Sequence, residues 1–246
     1  MVEGTMSQHR TSVIGYEAPK FIAFLIQSLP EIESIKLFRP PLSRLIQKEP
    51  SINELEEALI EKGLALRENL SLPFWDSLLL YISTHPVRAP NILKRATLHN
   101  SQDYECFSIH RDDCTEARLR KNIEAVPVGR ILAMSSKVST KQGETLHLPM
   151  LDFHCQASAE NDVLVKSVMM EIGLVGYIAK SGRSYHFYGR KLVDEQSLIT
   201  ILGKSLLFCP IIDRAWIAHQ LLERACGLRI SPGKDYHNCP EIIYEI

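Results

Sequence analysis

Two alternating runs, "VGYIAKS" and "SYHFYG", lie end to end around a turn made by Ser181, Gly182 and Arg183. Strands joined by so few residues can pair only antiparallel, because parallel neighbours need a crossover of a dozen residues or more. Glycine supplies the backbone freedom that such a turn demands. Successive side chains of a strand point to opposite faces, so His186 and Tyr188 share one face, with Tyr185 and Phe187 behind. The C-terminal part of the chain must therefore hold an antiparallel sheet with a histidine projecting beside a flexible, arginine-bearing turn.

The rest of that region agrees with this. "YECFSIHR" alternates like a strand, "DDCTEARLRKNIEAV" reads as a helix with an aspartate cap, and "RILAMSSKV" and "LHLPMLDFHC" read as strands around "STKQGE". A helix over "SAENDVLVKSVMMEIG" is expected to start at Ser158 and stop at Gly173. "DEQSLITILGKSLLF" and "DRAWIAHQLLERA" read as helices, and "GLRIS" and "EIIYEI" as short strands. Strands and helices mix without strict βαβ alternation, which predicts an α+β fold with a mostly antiparallel sheet over residues 101–246. Residues 1–100 differ in texture. Positions 1 to about 14 are polar and expected to be loose. From 16 to about 97 the chain reads as helical, with a capping box at Ser51 and Glu54, an N-cap at Ser71 before Pro73, and breakers at "RPP" and "HPVRAP". The expected division is a helical N-terminal region, 1–100, and a core domain, 101–246.

With 45% hydrophobic residues, the 246-residue chain can bury a substantial core. A formal net charge of -1 argues against a strongly basic nucleic-acid coat but leaves room for a local basic cleft. The six cysteines form no CxxC pair, and no secretory leader is evident. "FIAFLIQSL" is too short to span a bilayer, which needs about 20 apolar residues. Reduced thiols, a cytoplasmic location and no membrane partner are the expectations.

Three stretches carry candidate chemistry. In "MLDFHC", Asp152 and His154 share a strand face and could both meet a divalent metal, or simply meet water at a strand end. In "SGRSYHFYG", backbone N–H groups and the Arg183 guanidinium could hold a phosphate, with His186 aimed at the same anion; an ordinary hairpin with a surface arginine is the alternative. In "IIDRAWIAHQLLERACGLRISPGK", Asp213 precedes a helix and Arg229 and Lys234 follow it, and a plain helix cap with solvated basic residues would look the same.

The order of these stretches resembles the archaeo-eukaryotic primase superfamily, the primase-polymerases. "LDFH" is similar to that family's acidic metal-binding motif, "SGRSYH" to its Ser-x-His-like phosphate-binding motif, and "IID" to its hydrophobic-acid motif. "AHQLLERACGLRISPGK" is similar to the helix and basic segment that follow. The resemblance covers roughly residues 101–246. It implies an RRM-like sheet core and a nucleotidyltransferase using Mg or Mn to add nucleotides to a nucleic-acid strand. Asp152 and Asp213 would be catalytic, with Asp152, His154 and Asp213 as metal ligands. Ser181, Gly182, Arg183, His186, Arg229 and Lys234 would bind nucleotide. Nucleoside triphosphates and a DNA or RNA template would be the partners, with the helical N-terminal region as the place for a protein partner. One departure stands out: the family's first motif usually carries two acids, and here His154 takes the second place. Histidine suits Mn, Co or Zn better than Mg, so the resemblance implies either an enzyme favouring Mn or an inactive module that binds nucleotide or nucleic acid.

Other chemistries find less support. His237, Cys239 and Cys226 offer one close pair of zinc ligands where a structural site needs two, so no zinc is expected. No Gly-x-Ser-x-Gly elbow and no P-loop occur, and Cys155 lies on the strand face opposite His154.

Overall fold

The computed structural model describes residues 12–40, 53–85, 90–97, 105–233 and 236–246. The 181–184 turn folds as its sequence dictates. Strand β6 (Gly176–Ser181) pairs antiparallel with β7 (Ser184–Gly189), and Ser181 opposite Ser184 is the last pair. The loop is thus the two residues Gly182 and Arg183, with Gly182 at φ +70°, the positive-φ glycine that a tight hairpin favours.

This hairpin forms the middle of a four-stranded sheet in the order β5 (Met150–Asp152), β7, β6, β9 (Glu241–Glu245). A second sheet runs β2 (Glu105–His110), β1 (Ile32–Arg39), β3 (Ala133–Thr140), β4 (Thr145–His147), and β8 (Gly227–Arg229) also pairs with β3. Among the described residues every strand pairing is antiparallel. The helices are α1 (Ala18–Gln27), α2 (Glu54–Leu70), α3 (Phe74–Thr84), α4 (Pro90–Thr97), α5 (Glu116–Glu124), α6 (Ala159–Ile172), α7 (Glu195–Ser205) and α8 (Arg214–Glu223). The α+β expectation holds, and α6 is capped by Ser158, with Gly173 left-handed at its end.

Several expectations are corrected. The stretch from 16 to 97 is not helical throughout: Ile32–Arg39 is a strand paired on both sides, with β2 and β3. Its pairing with β3 shifts register twice, between Ile32 and Ser34 and between Ile35 and Leu37. The buried positions Ile32, Ile35 and Leu37 therefore fall at irregular spacing, and the period of two is lost. Nor does the core divide at residue 100. Val13 and the α1 residues Phe21, Ile22, Leu25 and Ile26 belong to the same apolar cluster as the second half of the chain, and the Phe21 ring packs edge-on against Tyr177 and Tyr188 at 5.0 and 5.4 Å. The loose start expected to residue 14 thus ends by Val13, while residues 1–11 lie outside the described ones. Among the described residues, α2, α3 and α4 have a separate small core, Leu59, Leu78 and Ile92.

Caps move as well. The box at the start of α2 is Asn53 with Glu56; Ser51, expected to form one with Glu54, lies outside the described residues. Buried Glu56 also accepts from the Asn91 N–H at 2.9 Å, joining α2 to α4. Ser71 ends α2 in a left-handed conformation instead of starting α3, whose N-cap is Pro73. Thr115, not an aspartate, caps α5. "LHLPMLDFHC" is two strands in different sheets, β4 and β5, with Leu148 and Pro149 carrying the chain across; proline has no N–H for a ladder.

Among the described residues no helix is long and apolar enough to cross a membrane. All six cysteines are free. Burial pushes the Cys114 thiol up to about 12 and raises Cys226 as well, whereas Cys106 is exposed. Because the thiolate is the reactive form, a disulfide reagent is expected to label Cys106 first in the native protein and to reach Cys114 and Cys226 only on unfolding. Mass-resolved labelling would check this; early labelling of Cys226 would contradict the packing.

Candidate functional site

The site begins at the end of β5. Asp152 is the antiparallel partner of His186 on β7. On the other edge of β5, Phe153 bridges to Ile212, and the Asp213 N–H donates to the Asp152 carbonyl at 3.1 Å. His186, Asp152 and Asp213 therefore form a row across three neighbouring backbone segments, with side chains on one face. Like charges set directly opposite one another destabilise a sheet, so the Asp152–Asp213 pair is costly unless something positive joins it.

Each member is held locally. Asp213 is the N-cap of α8, and its Oδ1 accepts from the Trp216 N–H at 3.0 Å. The α8 N-terminus, with its partial positive charge, favours that carboxylate. Asp152 is half-buried, with Oδ1 3.6 Å from His186 Nε2. Burial and the neighbouring Asp213 push the Asp152 carboxyl up to about 8, against the pull of Arg229. Burial, then Arg229, holds the His186 imidazole down to about 3, so it is neutral.

The hairpin turn and β8 supply the cationic side. Arg229 is buried; its Nη2 donates to Ser181 Oγ at 3.0 Å, and its Nη1 to the carbonyls of Ser231 and of Asn238, the latter at 3.3 Å. Its guanidinium lies 4.8 Å over the Tyr236 ring. The same ring packs on Gly182, where an added Cβ would stand 2.1 Å from it. Gly182 thus serves both the turn and this close approach. Exposed Arg183 is anchored through its carbonyl, which accepts from the Ala157 N–H at 2.8 Å. Behind the strand, the Tyr185 hydroxyl accepts from the Ser158 N–H at 2.9 Å and donates to Asp162 at 2.6 Å, locking β7 to the start of α6.

Asp152, His154, Ser181, Arg183, His186, Asp213 and Arg229 all line one cleft of about 1190 Å³. Lys234 lies outside the described residues. His154 behaves differently from a plain metal ligand. Its Nε2 meets the Ser71 carbonyl at 3.1 Å; a carbonyl only accepts, so Nε2 carries the proton and Nδ1 alone keeps a lone pair. Among the described residues no group of three or more His, Cys, Asp or Glu side chains is gathered as a metal site. The oxygen donors that could hold a divalent cation are the opposed pair Asp152 and Asp213; Mg is commonly held by one or two carboxylates together with substrate phosphates.

The sequence did not single out the α8 residues beyond Asp213 that line the cleft. Trp216, Gln220 and Glu223 line the cleft from α8, at the i, i+4, i+7 spacing that marks one helix face; that periodicity was the available signal. Phe38 reaches the cleft from β1, which the helical reading of 16–97 concealed. Arg67, Ser71 and Leu72, at the end of α2 and just beyond it, also line it, and Arg214 pairs with Asp76 of α3.

No curated protein and no solved structure matches the chain. A family model described as AEP-like, archaeo-eukaryotic primase 1D-like, matches residues 110–241. That span is more than half of the chain and contains β3 to β8, the whole row of His186, Asp152 and Asp213, and Arg229. The chain belongs to the AEP-like family of archaeo-eukaryotic primases.

Proposed function

We propose that this cleft binds a nucleoside triphosphate and adds its nucleotide to a DNA or RNA strand. The observation that carries the reading is the placing of two opposed carboxylates, Asp152 and Asp213, in the same cleft as a buried arginine joined to the Ser-Gly-Arg turn. Asp152 and Asp213 would hold a divalent cation, Mg or Mn, which when bound offsets the charge that opposes attack on a phosphate. Arg229, Ser181 and the turn amides would grip the triphosphate, since guanidinium and backbone N–H groups suit phosphate oxygens. Neutral His186 would donate a hydrogen bond without adding charge. A strand's terminal hydroxyl would attack the α-phosphorus, and pyrophosphate would leave. The cleft exceeds the roughly 300–1,000 Å³ of ordinary small-molecule pockets, which leaves room for a strand end beside the nucleotide.

The test is nucleotide incorporation on primed and unprimed templates, with Mg and Mn compared. Metal-dependent incorporation supports the enzyme. Nucleotide binding without incorporation under either metal supports the alternative, an inactive module that grips nucleotide or nucleic acid; the histidine at 154, where the family usually has an acid, favours that alternative. His154→Asp separates the two further. It puts a third hard oxygen donor beside Asp152, so the ratio of Mg- to Mn-supported incorporation is expected to rise. An unchanged ratio in a folded variant would show that position 154 does not reach the cation.

A further inference from the structure

We propose that Trp216 is the base-stacking wall of the cleft, the surface on which the purine or pyrimidine of the bound nucleotide lies. This rests on the reading that Arg229 and Ser181 take the phosphates. Trp216 stands in the first turn of α8, and its backbone N–H is held by Asp213. Its indole N–H donates to the Gly227 carbonyl at 3.3 Å, which fixes the ring against β8. The ring is half-buried and lines the cleft.

Gly227 and Arg229 are two residues apart on β8. They share a strand face and lie one pleat repeat apart, about 7 Å. The indole is pinned at one end of that repeat, and the guanidinium that would hold phosphate starts from the other. A nucleotide lying along β8 thus meets an aromatic surface at one end and a cation at the other. Phe38 narrows the same corner: a Cβ at position 227 would stand 2.5 Å from its ring, so the glycine lets Phe38 close on the strand. Stacking on such a platform depends on the π-face of the base and not on its edge, which predicts little preference among the four bases.

The test compares nucleoside triphosphates with inorganic tripolyphosphate, which has the phosphates and no base. The chain has two tryptophans, so Trp75→Phe leaves Trp216 as the sole indole reporter. Excited where bases do not absorb, Trp216 emission is expected to be quenched by nucleoside triphosphates and left unchanged by tripolyphosphate. Trp216→Leu is expected to weaken nucleotide affinity about tenfold, from base-stacking energies of about 1–3 kcal/mol, with tripolyphosphate affinity unaltered. Trp216→Phe loses the same bond to Gly227 but keeps an aromatic face, so it should recover most of the affinity; a purely structural role would leave both variants alike. Equal affinity of wild type for the two ligands, or Leu and Phe variants that bind nucleotide equally, overturns the stacking wall while the phosphate site stands. If neither ligand binds, the phosphate reading falls and the wall falls with it.

Discussion

Asp152→Asn is expected to lower nucleotide incorporation about a thousandfold while leaving the protein at least as stable as wild type. The loss follows from removing one of two charged oxygen donors; metal-assisted charge stabilisation is worth several kcal/mol, and each 1.4 kcal/mol is tenfold in rate. The stability half of the outcome is the more discriminating. Asp152 and Asp213 face each other across adjacent segments, and burial with that neighbour holds Asp152 up to about 8. Near neutral pH that carboxyl is therefore mostly protonated, and asparagine is its neutral isostere, so the melting midpoint should not fall. A residue kept only for the fold would give the opposite pattern, full activity with lower stability. Asp213→Asn should lose activity similarly and keep α8 intact, because asparagine caps as well as aspartate. Asp213→Ala would additionally lose the bond to the Trp216 N–H, at about 1 kcal/mol. Steady-state incorporation with thermal melts on the same preparations settles the matter, and undiminished incorporation by Asp152→Asn would remove the carboxylate pair from the mechanism.

Arg229→Met is expected to weaken nucleoside triphosphate binding by between about ten- and a hundredfold. Methionine keeps much of the apolar volume and removes the fork. Hydrogen bonds to charged groups contribute about 1.5–3 kcal/mol, and Arg229 is the buried cation beside Ser181 Oγ. Arg229→Lys should fall between, since an ammonium keeps the charge but cannot reproduce the planar, bidentate geometry. Stability should also fall, by about 1–3 kcal/mol, because the Ser231 and Asn238 carbonyls lose their donor. Circular dichroism would confirm folding before calorimetric titration with nucleotide. Exposed Arg183, changed to alanine, should weaken binding by less, because solvent screens it. Unchanged affinity in a folded Arg229→Met protein would detach β8 from the phosphate site.

Much of the antiparallel core is legible in the sequence. The 176–189 hairpin, the Ser158 and Gly173 ends of α6 and the helix after Asp213 follow from local rules: alternation, one glycine, and capping side chains. The order of "LDFH", "SGRSYH" and "IID" named the residues that meet in the cleft. Strand β1 was not legible, because its register shifts break the alternation that marks a strand. The Asn53 box of α2 was not picked out because Ser51 and Asn53 both precede a glutamate three residues on, and local sequence cannot choose between them. Asn53 is favoured by Glu56, which also binds α4 across a long sequence separation.

By itself the sequence determined the 176–189 hairpin and the two ends of α6, since each depends on neighbours a few positions away. Tertiary structure alone decided what those residues face. Asp152 and Asp213 stand opposite each other only because the chain from Ile211 to Asp213 returns along the edge of β5. Arg229 reaches Ser181 only because β8 pairs with β3 while the hairpin belongs to the other sheet. His154, on the predicted strand face, turns its Nε2 to Ser71 of a helix more than eighty residues earlier. Alternation fixes which side of a strand a side chain takes; the charge, ring or carbonyl waiting there is set by packing between segments distant in sequence.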